Sequence, residues 1–319
     1  MAIPPAVVAA ARTGWHWQWL QLMGGLGPAD PEGNYRRPAG AFVAKPELPR
    51  SAGTPGAHVL IVGRSCPWAH RAWLVWQLRQ LQESIDLLVV EPDPKAGRWR
   101  FSTPFRGCET LQELYRAAGA DPNQRATVPV LVDRGSGAVV VGESARLMEL
   151  LNEWPAPPGV LDLAPAVQAQ AIGEWRERFQ HNVNDGVYRC GFARNQGAYD
   201  RAEAALFETL AEAEALLSRP DASPWLCGRT PSLADVQLFP TLIRLELVYA
   251  PLFGVSRQPL WHFPGLWRWR QRFFALAGVA ETCCEQAWRE DYFGALFPLN
   301  PSGIVPAGPA LSTLVQGAA

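Results

Sequence analysis

At 319 residues the chain is long for one domain and comfortable for two, each large enough to bury its own core. Apolar residues make up 48% of it and charged residues 18%, and the net charge of -1 offers no electrostatic footprint for nucleic acid. Met1 to Ala11 lack the basic n-region of a secretory signal, and nowhere do some 18 apolar residues run uninterrupted. A cytoplasmic chain with no membrane span is therefore expected.

The expected elements, in chain order, begin late. Residues 1–56 read as an irregular N-terminal extension, because Gly24-Gly25, Gly27-Pro28, Asp30-Pro31 and Arg37-Pro38 interrupt any regular element. Within it Trp15, Trp17 and Trp19 alternate with polar residues and read as an anchor packed on the domain surface. His58 to Val62 is a short apolar run, the first buried strand. Cys66-Pro67 follows, with Pro67 suited to the first turn of a helix and apolar residues at helical spacing from Ala69 to Leu81. Ile85 to Val90 is a second strand, residues 92–108 a polar loop, and Glu109 to Ala118 a helix. Thr127 to Val132 and Ala138 to Val141 read as a hairpin, and Glu143 to Leu151 as the helix that closes the region. This order predicts a thioredoxin-like α/β domain over residues 57–154. Proline-rich residues 155–165 form a linker, residues 166–290 an all-helical domain, and residues 291–319 a C-terminal extension.

The cysteines at 66, 108, 190, 227, 283 and 284 match no zinc-binding spacing and form no Cys-x-x-Cys pair, so no metal is expected. Cys66 stands apart because it sits at a strand-to-helix turn. Unpaired helix N–H groups and the positive end of the helix dipole favour thiolate there, which predicts a lowered pKa and a reactive nucleophile. His70 and Arg71 in the next turn would add positive charge. Where a dithiol oxidoreductase has its second cysteine this chain has Ala69, so a mixed disulfide at Cys66 needs an external thiol to resolve it.

Two further signals accompany Cys66. Pro129 opens the third strand, a place where this fold usually has a cis peptide that turns the backbone of Val128 towards an extended ligand. Glu143-Ser144 begin a helix directly after a strand, where a hydroxyl and free N–H groups suit a carboxylate and Glu143 suits an ammonium. A ligand with thiol, peptide backbone, carboxylate and ammonium in that order is glutathione.

With these residues in place the sequence resembles glutathione transferases, and within them the Xi class, the glutathionyl-hydroquinone reductases. Cys66-Pro67-Trp68-Ala69-His70-Arg71, Val128-Pro129-Val130-Leu131, Glu143-Ser144, Gly186-Val187-Tyr188-Arg189 and Asn300 to Pro306 carry the resemblance over residues 57–309. Ser232-Leu233-Ala234-Asp235 with Leu238-Phe239-Pro240 is similar to the superfamily's helix-capping motif, a structural element. The resemblance implies a thioredoxin-like domain plus an all-α domain. It also implies a cytosolic homodimer that binds glutathione and an aromatic glutathionyl conjugate. Cys66 is implied as nucleophile. Trp99, Val128, Glu143 and Ser144 are implied as glutathione ligands, and Tyr188 and Tyr292 as the aromatic-substrate pocket, with Tyr188 donating to the departing phenolic oxygen. One departure concerns substrate range: the family commonly has two adjacent tyrosines where this chain has Tyr292-Phe293. Two other readings use the same framework. One is a thioltransferase or dehydroascorbate reductase working through Cys66; the other is a non-catalytic glutathione-fold binding module.

Overall fold

A computed structural model describes residues 3–43, 55–93 and 98–316. Its α/β part is built on strand β1 (His58–Gly63), in which Val59, Leu60, Ile61 and Val62 are all fully buried. A strand covered on both faces loses the alternation of a half-exposed one, which is why this run is continuously apolar. Strand β2 (Ile85–Asp93) pairs with β1 in parallel, and β5 (Val130–Asp133) pairs with it antiparallel on the other side. β3 (Arg98–Phe105), β4 (Cys108–Thr110) and β6 (Val139–Val141) complete a six-stranded sheet in the order β4-β3-β2-β1-β5-β6. Helices α2 (Pro67–Leu78), α3 (Leu111–Ala117) and α4 (Ser144–Glu153) cover it. The expected thioredoxin-like layer is present.

Of the polar loop expected over residues 92–108, residues 94–97 lie outside the described residues, and from Arg98 onwards the β3–β4 hairpin replaces it. Its signal was there to be read: Trp99, Phe101 and Phe105 fall on one side of a period-two pattern interleaved with Arg98, Arg100 and Ser102. Pro104 and the turn at Arg106-Gly107, both with positive φ, obscured it.

After α4 the chain crosses residues 155–165 without regular structure. Asn152 holds this stretch at both ends of its amide, donating to Asp162 at 3.0 Å and accepting from the Leu163 N–H at 2.9 Å. The helical part follows: α5 (Ala169–Arg178), a π-turn segment at Phe179–Asn184, α6 (Gly186–Gly191) and the long α7 (Gln196–Leu217). Next come α8 (Leu233–Leu242), a second π segment (Leu245–Tyr249), α9 (Ala250–Phe253), α10 (Pro264–Phe274), α11 (Glu285–Ala295) and α12 (Leu311–Val315). The stretch Leu233–Phe253 is long and apolar enough to cross a membrane, but most of it is buried inside the helical part, as a core helix is. α2 packs on β1 and α4 on one side and on α8 on the other, so the helix that follows Cys66 is also the join between the two halves.

The N-terminal segment differs most from expectation. Pro5–Leu26 is one 22-residue helix, α1, not an irregular extension. Its alanine-rich start favours helix strongly enough to carry Gly14, Gly24 and Gly25 inside it. In a helix, residues two apart face different directions, so the tryptophan stripe does not anchor as a unit. Trp15 and Trp17 are exposed, whereas Trp19, Met23 and Leu26, at helical spacing, pack on the core.

Candidate active site

Topology gathers the predicted residues at one edge of the sheet. β1 ends at Gly63 and delivers Cys66. β5 runs antiparallel to β1, with Ile61 opposite Val130, so Val128 lies just before its start at the same edge. β6 runs antiparallel to β5, with Val141 opposite Leu131, and delivers Glu143 there too. β3 returns antiparallel to β2 with Trp99 opposite Pro92, beyond the Gly63–Val90 pair. Cys66, Val128, Glu143, Ser144 and Trp99 thus share an edge because of strand order.

Cys66 is the N-cap of α2, with extended backbone and Pro67 in the first turn. It is partly exposed, and its Sγ–H points at the carbonyl of Val128, 3.5 Å away. The Val128–Pro129 peptide is cis. Trp99 lies across Gly63 so closely that a Cβ there would sit 2.5 Å from the indole ring, which makes glycine a requirement at that turn. Glu143 caps α4 with both carboxylate oxygens, accepting from the amides of Ala145 at 3.1 Å and Arg146 at 2.9 Å. Ser144 is buried in the first turn of that helix.

The predicted acidification of Cys66 is not met. Burial is the largest influence and pushes the thiol up. The amides of Trp68 and Ala69 and the charges of Arg37 and Arg244 push the other way without overcoming it. Nor does His70 add charge. It is 1% exposed, and burial together with the Arg244 charge holds its imidazole well below the ordinary range, so it is neutral. Arg71 is also buried, its guanidinium lying 4.4 Å from the Trp68 ring and donating to Gln180. Burial brings it down to about 9.

The helical half presents three tyrosines. Tyr188 on α6 and Tyr292 on α11 share a hydrogen bond of 2.6 Å between hydroxyls, and the Tyr249 hydroxyl lies 3.2 Å from that of Tyr292. Burial is the largest influence on all three phenols and raises each of them, Tyr188 and Tyr292 well above the ordinary value. They are therefore neutral donors, able to give a proton to a neighbouring oxygen or share one with it. Trp68, two residues from the nucleophile, stacks on Tyr188 with ring centroids 5.9 Å apart. Arg37 covers the Trp68 ring at 3.5 Å and pairs with Asp185 at 3.2 Å. The Tyr292-Phe293 departure does not remove a hydroxyl from this cluster: Tyr292 supplies it, and Phe293 is buried beside it on α11.

Tyr249 and Arg244 escaped the sequence reading. Both lie in an almost wholly apolar helical run, where a tyrosine reads as core and a single arginine as a helix-face charge. The one available signal was an arginine inside an otherwise almost wholly apolar segment.

The chain matches the family models "Glutathione S-transferase, N-terminal domain" over residues 65–154 and "Glutathione S-transferase, C-terminal domain" over residues 196–272. It is 33% identical over 267 residues to glutathionyl-hydroquinone reductase PcpF of Sphingobium chlorophenolicum, covering 81% of this chain and 84% of that one. To glutathionyl-hydroquinone reductase YqjG of Escherichia coli it is 31% identical over 314 residues, 92% of this chain and 93% of that one. Among solved structures, the Xi glutathione transferase of Phanerochaete chrysosporium superposes with a TM-score of 0.81 at 31% identity, covering 88% of this chain and 94% of that one. The chain belongs to the glutathione transferase superfamily and, within it, to the Xi class of glutathionyl-hydroquinone reductases, and it is an enzyme of that family.

Proposed function

We propose that the protein removes glutathione from glutathionyl-hydroquinones, using Cys66 as the nucleophile and a second glutathione as the reductant. The observation that carries this reading is a lone cysteine at a helix N-terminus, with Ala69 in place of a resolving thiol, near a cluster of neutral tyrosine hydroxyls. The E. coli relative YqjG, 32% identical over 79% of this chain, has been solved with glutathione bound.

The Cys66 thiolate attacks the sulfur of the aryl thioether. The carbon–sulfur bond breaks, its electron pair goes to the ring, the ring carbon takes a proton, and hydroquinone leaves. A Cys66–glutathione disulfide remains. The thiolate of a second glutathione attacks its glutathione sulfur, releasing glutathione disulfide and restoring the Cys66 thiolate. Tyr188, with Tyr292 and Tyr249 behind it, holds the phenolic oxygens and supplies a donor as charge redistributes. The backbone of Val128 pairs with the peptide of glutathione. Glu143 and Ser144 meet its ammonium and carboxylate end, and Trp99 closes over it. A homodimer in the cytoplasm is part of the same reading, supported by family membership.

The test is steady-state reduction of glutathionyl-menadione by glutathione, comparing the native chain with Cys66→Ala. Turnover that vanishes with the substitution is expected. An inert native protein that still exchanges disulfides with a small mixed-disulfide substrate would replace the reading with a thioltransferase. Absence of both activities would leave a binding module.

A further inference from the structure

Arg244 follows α8, and its side chain is completely buried. One of its Nη atoms donates to Nδ1 of His70 at 2.9 Å and to the Pro240 carbonyl at 2.8 Å. The central carbon of the guanidinium lies over Trp288, 4.0 Å from the ring centroid. Its Nε and other Nη have no hydrogen-bond partner among the described residues, and no carboxylate there pairs with it. Two other arginines among the described residues are fully buried: Arg270 pairs with Glu246 at 2.7 Å, and Arg71, which also lacks an ion pair there, is offset by the charges of Glu143 and Asp185. A buried cation without a counter-charge is destabilising, because burial removes its hydration and nothing offsets the loss.

His70 explains how Arg244 is held. Nδ1 accepts from Arg244, so the ring proton is on Nε2, which donates to Thr282 Oγ1 at 2.8 Å. Thr282 in turn donates to the Val279 carbonyl at 2.7 Å. His70 sits one helical turn after Cys66 on α2, its amide donating to the Cys66 carbonyl. The histidine of the Cys-Pro-Trp-Ala-His-Arg run is thus a neutral acceptor that fixes a guanidinium from the other half of the molecule beneath the nucleophile's helix.

We propose that Arg244 is the fixed positive charge of the active site, whose counter-charge is the anion formed during turnover at Cys66, and that His70 is its positioning residue. The inference rests on Cys66 being the nucleophile. The groups whose charge or dipole acts on the sulfur are the Trp68 and Ala69 amides from α2, Arg37 from the N-terminal segment, Arg244, and the neutral phenols of Tyr188 and Tyr249. Arg37 is partly exposed and paired with Asp185, so solvent and a carboxylate offset it; Arg244 has neither.

The experiment is the rate of iodoacetamide alkylation of Cys66 against pH in the full chain, with the modified residue identified by mass spectrometry. Arg244→Gln keeps a donor for His70 and removes the charge; Arg244→Lys keeps the charge. The Gln variant should raise the Cys66 midpoint by a unit or more, which is about a tenfold loss of thiolate at neutral pH. The Lys variant should hold the native midpoint. A folded Gln variant with the native profile overturns the proposal. If the Gln variant does not fold, a Lys variant whose midpoint rises by about a unit overturns it, and one that keeps the native midpoint upholds it. Because alkylation needs no turnover, a native protein inert towards glutathionyl-menadione would sink the proposed reaction while leaving this result to stand or fall alone.

Discussion

Asp235→Ala should destabilise the helical half without touching the chemistry. The carboxylate is fully buried at the start of α8 and takes four donors. These are the Leu226 amide at 3.1 Å, the Ser232 amide at 2.8 Å, the Ser232 hydroxyl at 2.7 Å and the Trp269 indole N–H at 2.8 Å. In the alanine variant the Ser232 hydroxyl can rotate to another acceptor, but the three N–H groups are fixed. At about 1–3 kcal/mol for each orphaned buried donor, the loss is roughly 3–9 kcal/mol. Removing the carboxyl also returns its own desolvation cost, which is the largest influence on it and raises it. A net destabilisation of about 3–5 kcal/mol follows, against a typical total of roughly 5–15 kcal/mol. Asp235→Asn should fall between: its amide oxygen can serve Leu226 and Trp269, but its NH2 then faces the Ser232 amide, donor against donor. Urea unfolding followed by circular dichroism at saturating and zero glutathione checks this. An alanine variant within about 1 kcal/mol of the native protein would refute the reasoning, because so small a loss is that of an ordinary surface substitution.

Other expectations concern the site. Since burial holds the Cys66 thiol up, its alkylation in the free protein should have a midpoint above the ordinary cysteine value of about 8.5, and a midpoint below it would contradict the balance of influences described above. Tyr292→Phe removes a hydrogen bond from Tyr188 and should lower kcat about tenfold, equivalent to one hydrogen bond of about 1.4 kcal/mol. Phe293→Tyr should add no activity and cost about 1–3 kcal/mol, read as a lower unfolding midpoint, because its hydroxyl would enter a packed interior. Gly63→Ala should displace Trp99 and raise the KM for glutathione; an unchanged KM would remove Trp99 from the glutathione site.

The sequence made the strand-to-helix cysteine, the proline before β5 and the capped α4 legible because each is a local event: a turn, a strand start, a helix start. Strand order then did what no local pattern states, bringing them to one edge. What stayed hidden depended on the surroundings. The Cys66 pKa turns on burial between two halves of the chain, which a helix-dipole argument alone does not contain. His70 reads as a cation until the buried Arg244 beside it is known. Tyr249 lies at the end of the π segment Leu245–Tyr249, a break in helical phase that an otherwise featureless apolar run does not announce, and Arg244 stands just before that segment. α1 is hidden for the opposite reason: local glycine and proline punctuation masks the helix propensity of its alanine-rich start.

Helix α11 ties three distant places together. Its Trp288 donates to the Arg64 carbonyl in the turn before Cys66, at 3.0 Å. Its Arg289 grips the carbonyls of Pro306 and Pro309 in the closing segment, and its Tyr292 enters the hydroxyl cluster. Glu285 at its start receives both Arg289 and the Leu311 amide. The tail around residues 306–311 is therefore a brace for the nucleophile's turn, reached through one helix. Trimming it, or fusing a bulky tag so that it lifts away, would act on the enzyme as an active-site lesion does, although the altered residues touch no substrate.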